Sequence, residues 1–454
     1  MKQIEIEKQV LQKITPTERY RKKLDRITQE LKEEILHEIK KRKLPVEIEL
    51  VGSISKDTFL QDNMDIDFFI KFPTFYHKER IAKQAVSIGK NILKNTEESY
   101  AEHPYLRGYY KDYKAEIVPC YKIEKASQRL SAVDRTPLHT KYIIENITEK
   151  QRQEVRLFKQ FLKGINCYGA EAEIEGFSGY LCEILIIKFD TFKGLIQNAQ
   201  KWKTGEKISI KNGKHPSFDT SLIFIDPVDP NRNVASAVSK EKFKLFIYAC
   251  KEYQKNPMIT YFFPNKVKPW ELEKIKKTIE KENIQYIGIN IEKPDIISEN
   301  LYPQVRKAVK SIWESCERND FKIFDMQFYI DEEIQKIFII IKIEKGLLSN
   351  TFIHSGPPVK LKKNADDFIR RWKDDPQVTK KPYEKNGRLL VELERDYTKI
   401  DDFLKNQIKN LSLGKHLDKV FQKKFNILNL DKLLVQNHRE FWTKYLDGKM
   451  SWER

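Results

Sequence analysis

Val51-Gly52-Ser53 is followed, after eleven intervening residues, by Asp65-Ile66-Asp67. A glycine–serine turn can hold a triphosphate against backbone N–H groups. Two carboxylates one residue apart on a strand point to the same face, because strand side chains alternate with period 2. Mg²⁺ takes carboxylate oxygens and lets substrate phosphates complete its shell. The pair therefore reads as a site for magnesium and a nucleotide. A third carboxylate is expected from a neighbouring strand, and Glu116 in Ala115-Glu116-Ile117-Val118-Pro119 is placed for it. One metal would activate an attacking 3′-hydroxyl, and the other would hold the triphosphate and the departing pyrophosphate. An isolated Asp-x-Asp is more often a pair of solvated surface carboxylates, and Ser53 can equally be a plain helix cap. The preceding Gly-Ser, the apolar neighbours and the later carboxylate strand favour the site.

These residues need a small α/β scaffold, and the flanking pattern supplies one. Thr15, Pro16 and Glu18 read as a helix start with a capping box. Leu24, Ile27, Leu31, Ile35 and Ile39 then recur at helical spacing until Pro45. Residues 46–51 alternate as a strand, 55–60 read as a short helix, and 65–72 read as a second, central strand. A helix over 77–95 and a strand over 113–118 complete a catalytic head at 1–149. A mostly helical neck follows at 150–216. Residues 217–284, together with about 385–454, read as an α/β body. Residues 285–384 show strand–helix–strand–strand order and read as a ferredoxin-like tail, a shape often used on RNA. The expected class is α+β multidomain, with a mixed sheet in the head.

Composition narrows the partner. The chain has 454 residues, which by the usual ~100–200 per domain is several domains. It carries 84 Lys plus Arg against 66 Asp plus Glu, a net +18. A field of that sign draws polyanions, of which RNA and DNA are the usual cytoplasmic examples. A lysine-rich composition with solvated faces is the plain alternative. The five cysteines include no CxxC pair, which argues against a zinc knuckle or a disulfide framework. No apolar run approaches the ~18 residues of a membrane span, and the N-terminus does not read as a signal peptide, so a soluble, cytoplasmic protein is expected.

Further segments accompany the first motif: Ala101-Glu102-His103-Pro104-Tyr105, Val118-Pro119-Cys120-Tyr121, residues 131–139, Tyr168-Gly169-Ala170-Glu171, residues 176–183 and residues 226–235. In this order the chain resembles the archaeal, class I CCA-adding enzymes, tRNA nucleotidyltransferases of the DNA polymerase beta-like superfamily. The resemblance is specific over roughly 45–240. It implies template-independent addition of CCA to the 3′ end of an immature or CCA-lacking tRNA, with CTP, ATP and Mg²⁺. It also implies dimerisation through late domains. Residue by residue, it gives Ser53 and Lys56 to the triphosphate, and Asp65, Asp67 and Glu116 to metal. His139, Lys159 and Tyr168 would hold triphosphate or sugar, and Arg232 would read the base with a fixed donor fork. Glu102 and His103 would lie near the RNA primer end or the new base, with Thr136 a site or turn residue.

Each assignment has a structural alternative. His139 can cap or line a core, Lys159 can sit on a basic exposed helix face, and Tyr168 can close a helix C-terminus. Arg232 can pair with Asp226 or Asp229 and hold a turn. Three positions depart from the family pattern: Glu116 where aspartate is common, Lys56 where arginine is common, and Glu175 where a basic residue is common. Rival functions are a poly(A) polymerase-like enzyme, a non-catalytic RNA-binding protein on the same scaffold, and a small-molecule nucleotidyltransferase.

Overall fold

The computed structural model describes residues 2–61, 65–100, 104–213, 215–282 and 284–454. They form two compact units, Met1–Lys266 with Lys449–Arg454, and Val267–Gly448.

The first unit begins with helices α1 (Lys2–Ile14) and α2 (Glu18–Lys41). Thr17, not Thr15, caps α2: its hydroxyl accepts from the Tyr20 N–H at 3.2 Å. Thr15 instead follows α1, donating its N–H to the Leu11 carbonyl and its hydroxyl to Gln153. Strand β1 (Glu47–Val51) runs into a single turn, α3 (Gly52–Ser55), and then comes β2 (Ile66–Phe72). The helix expected over 55–60 lies earlier, at 52–55, because the chain turns as soon as β1 ends. Helix α4 (Lys78–Ile92) leads to β3 (Lys94–Tyr100), β4 (Pro104–Tyr110) and β5 (Tyr113–Tyr121). The sheet order is β1-β2-β5-β4-β3, with β2 and β5 parallel and the other pairs antiparallel. It is the mixed sheet expected for the head, with β3 and β4 added; their polar and glycine-bearing sequences hid them.

On one sheet face, Ile66, Phe68, Ile70 and Phe72 of β2 meet Leu24, Ile27, Leu31 and Ile35 of α2 and Ile81, Ala85 and Ile88 of α4 in a buried core. The alternate β2 residues, Asp67 and Phe69, therefore point the other way. There Phe69, Val51, Val118 and Cys120 form a small apolar floor.

After β5 come α5 (Arg135–Asn146), α6 (Glu149–Gly164), α7 (Gly179–Phe189) and α8 (Phe192–Ala199). Thr148, Ser178 and Thr191 each accept a backbone N–H at the starts of α6, α7 and α8, satisfying donors that helices leave open. Helix α7 is apolar almost all round and is accordingly buried. Short strands β6 (Glu206–Ile208) and β7 (Leu222–Phe224) pair in parallel, and α9 (Lys240–Lys255) closes an aromatic core with Phe158, Phe161, Phe177, Phe192, Phe246 and Tyr253.

The second unit contains α10 (Leu272–Lys281), β8 (Gln285–Glu292), α11 (Ser298–Arg318), β9 (Ile323–Asp331) and β10 (Lys336–Ile343). Next come β11 (Thr351–Pro358), α12 (Lys362–Trp372), β12 (Val378–Lys385) and β13 (Arg388–Glu394). It ends with α13 (Ile400–Gln407), α14 (Lys415–Lys423), β14 (Asn426–Leu428), α15 (Leu430–Leu433) and α16 (Arg439–Leu446). The four-stranded sheet has order β14-β8-β10-β9, all antiparallel. In chain order that is 4-1-3-2, the ferredoxin-like arrangement. Its fourth strand arrives only at Asn426, after a second sheet, β11-β13-β12, has been inserted. The boundary expected near residue 384 falls inside the β12–β13 hairpin, where Lys385 pairs with Arg388. Trp372, Phe421 and Trp442 are buried core residues of this unit.

Candidate active site

Strand register builds the carboxylate end. Asp67 on β2 lies directly opposite Glu116 on β5, and opposite Val51 on β1. Parallel neighbours in register share a face, so both carboxylates stand on the side of the Phe69–Val118 floor. Asp65 is exposed and immediately precedes β2. Burial, then Glu116, then Asp65 push the Asp67 carboxyl well above its ordinary range. Burial also raises Glu116, with Arg107 opposing and Asp65 adding to the rise. Arg107, opposite Glu116 in register on β4, donates to it from Nε at 2.5 Å. Among the described residues, no group of three or more His, Cys, Asp or Glu side chains is placed to hold a metal ion as it stands.

Gly52 is placed between β1 and this cluster. Its φ is +75°, and a β-carbon there would stand 2.1 Å from Asp67 Oδ2. Ser53, half-buried in the same turn, accepts the Thr58 N–H on its carbonyl.

A buried ionic cluster lies next along the chain. Glu183 of α7, fully buried, accepts from Lys56 Nζ at 2.6 Å and from the Thr58 hydroxyl at 2.6 Å. Lys159 Nζ of α6 donates to the Thr58 carbonyl at 3.0 Å and to Glu183 at 3.4 Å. Lys159 is buried, not on an exposed basic face as one reading of α6 expected. Burial would raise Glu183, but the two lysines and the hydrogen bonds bring it below its ordinary value, so it stays ionised. Two lysines thus face one carboxylate; burial lowers the Lys159 amine, and Glu183 opposes that fall. Lys56 is close enough to Asp67 to oppose the rise in its pKa.

Tyr168 sits just beyond α6 and pairs with Phe177 in an isolated bridge. Its hydroxyl and the Lys159 ammonium both lie within 4 Å of where a Gly179 β-carbon would be. Tyr168 and Lys159 are thus brought together at the start of α7.

One turn before Glu183, Tyr180 opens the other end of the site. Its hydroxyl donates to Asp226 Oδ1 at 3.1 Å, and its ring stacks on His139, with centroids 4.1 Å apart and an interplanar angle of 21°. His139 Nε2 lies 2.8 Å from Asp226 Oδ2, and Arg232 donates to the same oxygen from NH1 at 3.0 Å. Burial would raise the fully buried Asp226 carboxyl, yet the His139, Val228 and Arg232 partners hold it well below its ordinary range. Burial lowers His139 despite Asp226, so the imidazole is neutral and donates Nε2–H. Arg135 donates to Asp229 at 2.9 Å, tying α5 to the same turn. Thr136 is half-buried in the first turn of α5, one turn before His139.

Ser53, Lys56, Asp65, Asp67, Glu116, His139, Lys159, Tyr168 and Arg232 are therefore strung along one unit, from metal-type carboxylates to a guanidinium. Glu102 and His103 lie outside the described residues. Arg232 does pair with Asp226, as its structural alternative expected, and its side chain remains 31% exposed. Sequence reasoning gave no role to Glu183, Tyr180 or Arg107, and saw Asp226 only as a turn partner. The one available signal for Glu183 was a carboxylate inside an otherwise apolar helix.

Three family profiles match in order: nucleotidyltransferase domain at 32–139, tRNA nucleotidyltransferase second domain at 153–263, and CCA-adding enzyme C-terminal domain at 284–429. The CCA-adding enzyme of Methanosarcina mazei is 33% identical over 444 residues, covering 96% of this chain and 97% of its own. That of Picrophilus torridus is 38% identical over 382 residues, covering 84% and 86%. That of Methanocaldococcus jannaschii is 34% identical over 436 residues, covering 91% and 93%. Among solved structures, E. coli MS115-1 CdnC with ATP matches 57% of this chain and 94% of its own, at 14% identity and a TM-score of 0.43. Full-length relatives of this kind decide against the poly(A) polymerase, RNA-binding and small-molecule alternatives. The chain belongs to the archaeal CCA-adding enzymes, metal-dependent tRNA nucleotidyltransferases that build CCA on the tRNA 3′ end from CTP and ATP.

Proposed function

We propose that Asp65, Asp67 and Glu116 hold magnesium for this transfer, that Ser53, Lys56, Lys159 and Tyr168 hold the triphosphate and sugar, and that Arg232 and His139 meet the base. The donor set fits a hard cation: it is all carboxylate oxygen, and the Asp67 carboxyl is driven up by burial and two neighbouring carboxylates. That crowding is what a divalent charge relieves. When bound, magnesium lowers the pKa of the attacking 3′-hydroxyl and neutralises the triphosphate. The chain's own contribution is placement. Gly52 and Ser53 give the phosphates a close approach to backbone, and Lys56 and Lys159 attract the leaving pyrophosphate. Arg232 presents N–H donors to the nucleobase edge, which suits the accepting ring nitrogen of cytosine N3 and adenine N1 and not the N–H that uracil and guanine carry there.

The observation that carries this reading is the register of Asp67 against Glu116, with Gly52 packed on the Asp67 carboxylate. In the same reading, residues 1–149 are the catalytic head and 150–216 the neck. The segments beyond residue 216 grip tRNA, aided by the net +18 charge. Among the described residues no helix is long and apolar enough to cross a membrane, which suits a cytoplasmic tRNA enzyme. The protein is further read as a homodimer, which sedimentation of the purified chain tests.

The decisive experiment incubates tRNA lacking CCA with CTP, ATP and Mg²⁺. Three added nucleotides are expected with wild type, and none with Asp67→Asn or after EDTA. Undiminished addition by Asp67→Asn overturns the metal assignment. Glu102 or His103 contacts with RNA are tested by single alanine variants with tRNA ending in C or CC.

A further inference from the structure

The Asp226 carboxylate is fully buried, and both of its oxygens carry two partners. Oδ1 accepts from the Tyr180 hydroxyl and from the Val228 N–H at 3.0 Å. Oδ2 accepts from Arg232 NH1 and lies against His139 Nε2. The turn that carries it is closed on itself: the Asp226 N–H donates to the Arg232 carbonyl at 3.1 Å, and the Arg232 N–H to the Asp229 carbonyl at 2.9 Å. Arg135 holds Asp229 from α5. The Asp226 carboxylate and the Arg232 backbone are thus both tied by hydrogen bonds to the same turn.

Resting on the reading that Arg232 meets the incoming base, we propose that Asp226 is the positioning residue for base choice. It pins Arg232 through NH1 alone and locks His139 against Tyr180, so that one remaining guanidinium edge is presented in one orientation. The physical reason is the difference between a fixed and a mobile fork. A fixed set of donors rejects a base edge whose groups do not match, because the mismatch leaves buried polar groups unpaired. A guanidinium free to swing adapts to either edge and discriminates little. His139 adds to the same device: with Nε2–H committed to Asp226 and its ring stacked on Tyr180, it cannot reorient to compensate. Tyr180 and Glu183 are one turn apart on α7. The helix that braces the base end therefore also braces the Lys56–Lys159 end.

The test is nucleotide selectivity. Single-nucleotide addition to tRNA lacking CCA is measured with CTP and UTP, and to tRNA ending in CC with ATP and GTP. Wild type, Asp226→Asn and Arg232→Ala are compared. Asp226→Asn is expected to lower the CTP/UTP and ATP/GTP ratios of kcat/KM at least tenfold; a merely structural defect would lower all four values together and leave the ratios unchanged. If Arg232→Ala keeps the wild-type ratios, the base-reading role of Arg232 fails and this proposal with it. If Arg232→Ala loses them while folded Asp226→Asn keeps them, the Asp226 proposal alone is overturned. Should Asp226→Asn not fold, Tyr180→Phe decides. It keeps the carboxylate and the stack, and a severalfold drop in the ratios supports the proposal while unchanged ratios overturn it.

Discussion

A β-carbon on Gly52 would stand 2.1 Å from Asp67 Oδ2. The glycine of the opening motif thus serves two ends at once: a left-handed φ of +75° at the end of β1, and room for a carboxylate of β2. Gly52→Ala is expected to reduce kcat at least 100-fold, because Asp67 must move by an ångström or more. The backbone strain of about 1–2 kcal/mol is small beside that. Thermal melting should fall by only a few degrees and tRNA affinity should hold. Near-normal kcat would mean that Asp67 has another workable position.

Under the proposed metal role of Glu116, Arg107 and the cation would compete for the same carboxylate. The Arg107 bond must loosen or share for Glu116 to ligate a cation. Arg107→Gln should therefore lower the Mg²⁺ concentration for half-maximal activity, by a few-fold, in a magnesium titration. An increase would show that Arg107 orients Glu116 for the metal.

Glu183 is the shared carboxylate partner of two buried lysines. Removing one member of a buried ion cluster strands the others at a cost of about 3–5 kcal/mol. Glu183→Ala should destabilise the first unit by that order in denaturant melts. The double variant Glu183→Ala with Lys159→Met should recover a substantial part of the loss.

Acid sensitivity should centre on His139. Its folded-state pKa lies below the ordinary 6.5, so the folded protein holds the neutral form that the unfolded chain protonates first. The stability this contributes is complete above pH 6.5 and declines as the pH falls below it. The depressed Asp226 adds a further loss only below the ordinary 3.8. Melting temperatures of wild type should drop between pH 7 and 5 more steeply than those of His139→Gln; equal slopes would remove His139 as the cause.

The reading of β2 illustrates what local pattern conveys. Ile66, Phe68, Ile70 and Phe72 alternate with Asp67, Phe69 and Lys71, and period 2 is enough to place Asp67 on the face opposite the core. The α2 stripe was legible for the same reason at period 3.6. The β3 segment Lys-Asn-Thr-Glu-Glu-Ser-Tyr was not, because it lies at the sheet edge, where pairing with β4 and not burial makes the strand. The start of α2 was misplaced by two residues because Thr15 and Thr17 both flank Pro16, and only the geometry of the preceding helix α1 leaves Thr17 free to cap.

By itself the sequence determined the carboxylate face, the glycine–serine turn beside it and the resemblance that names the chemistry. These depend on spacings of a few residues, which secondary structure converts directly into direction. The tertiary structure alone decided which charges are joined: Glu183 to Lys56 across 127 residues, and Asp226 to His139 across 87. A buried carboxylate must find donors wherever the fold brings them, and that pairing is set by packing at long range and not by any local period.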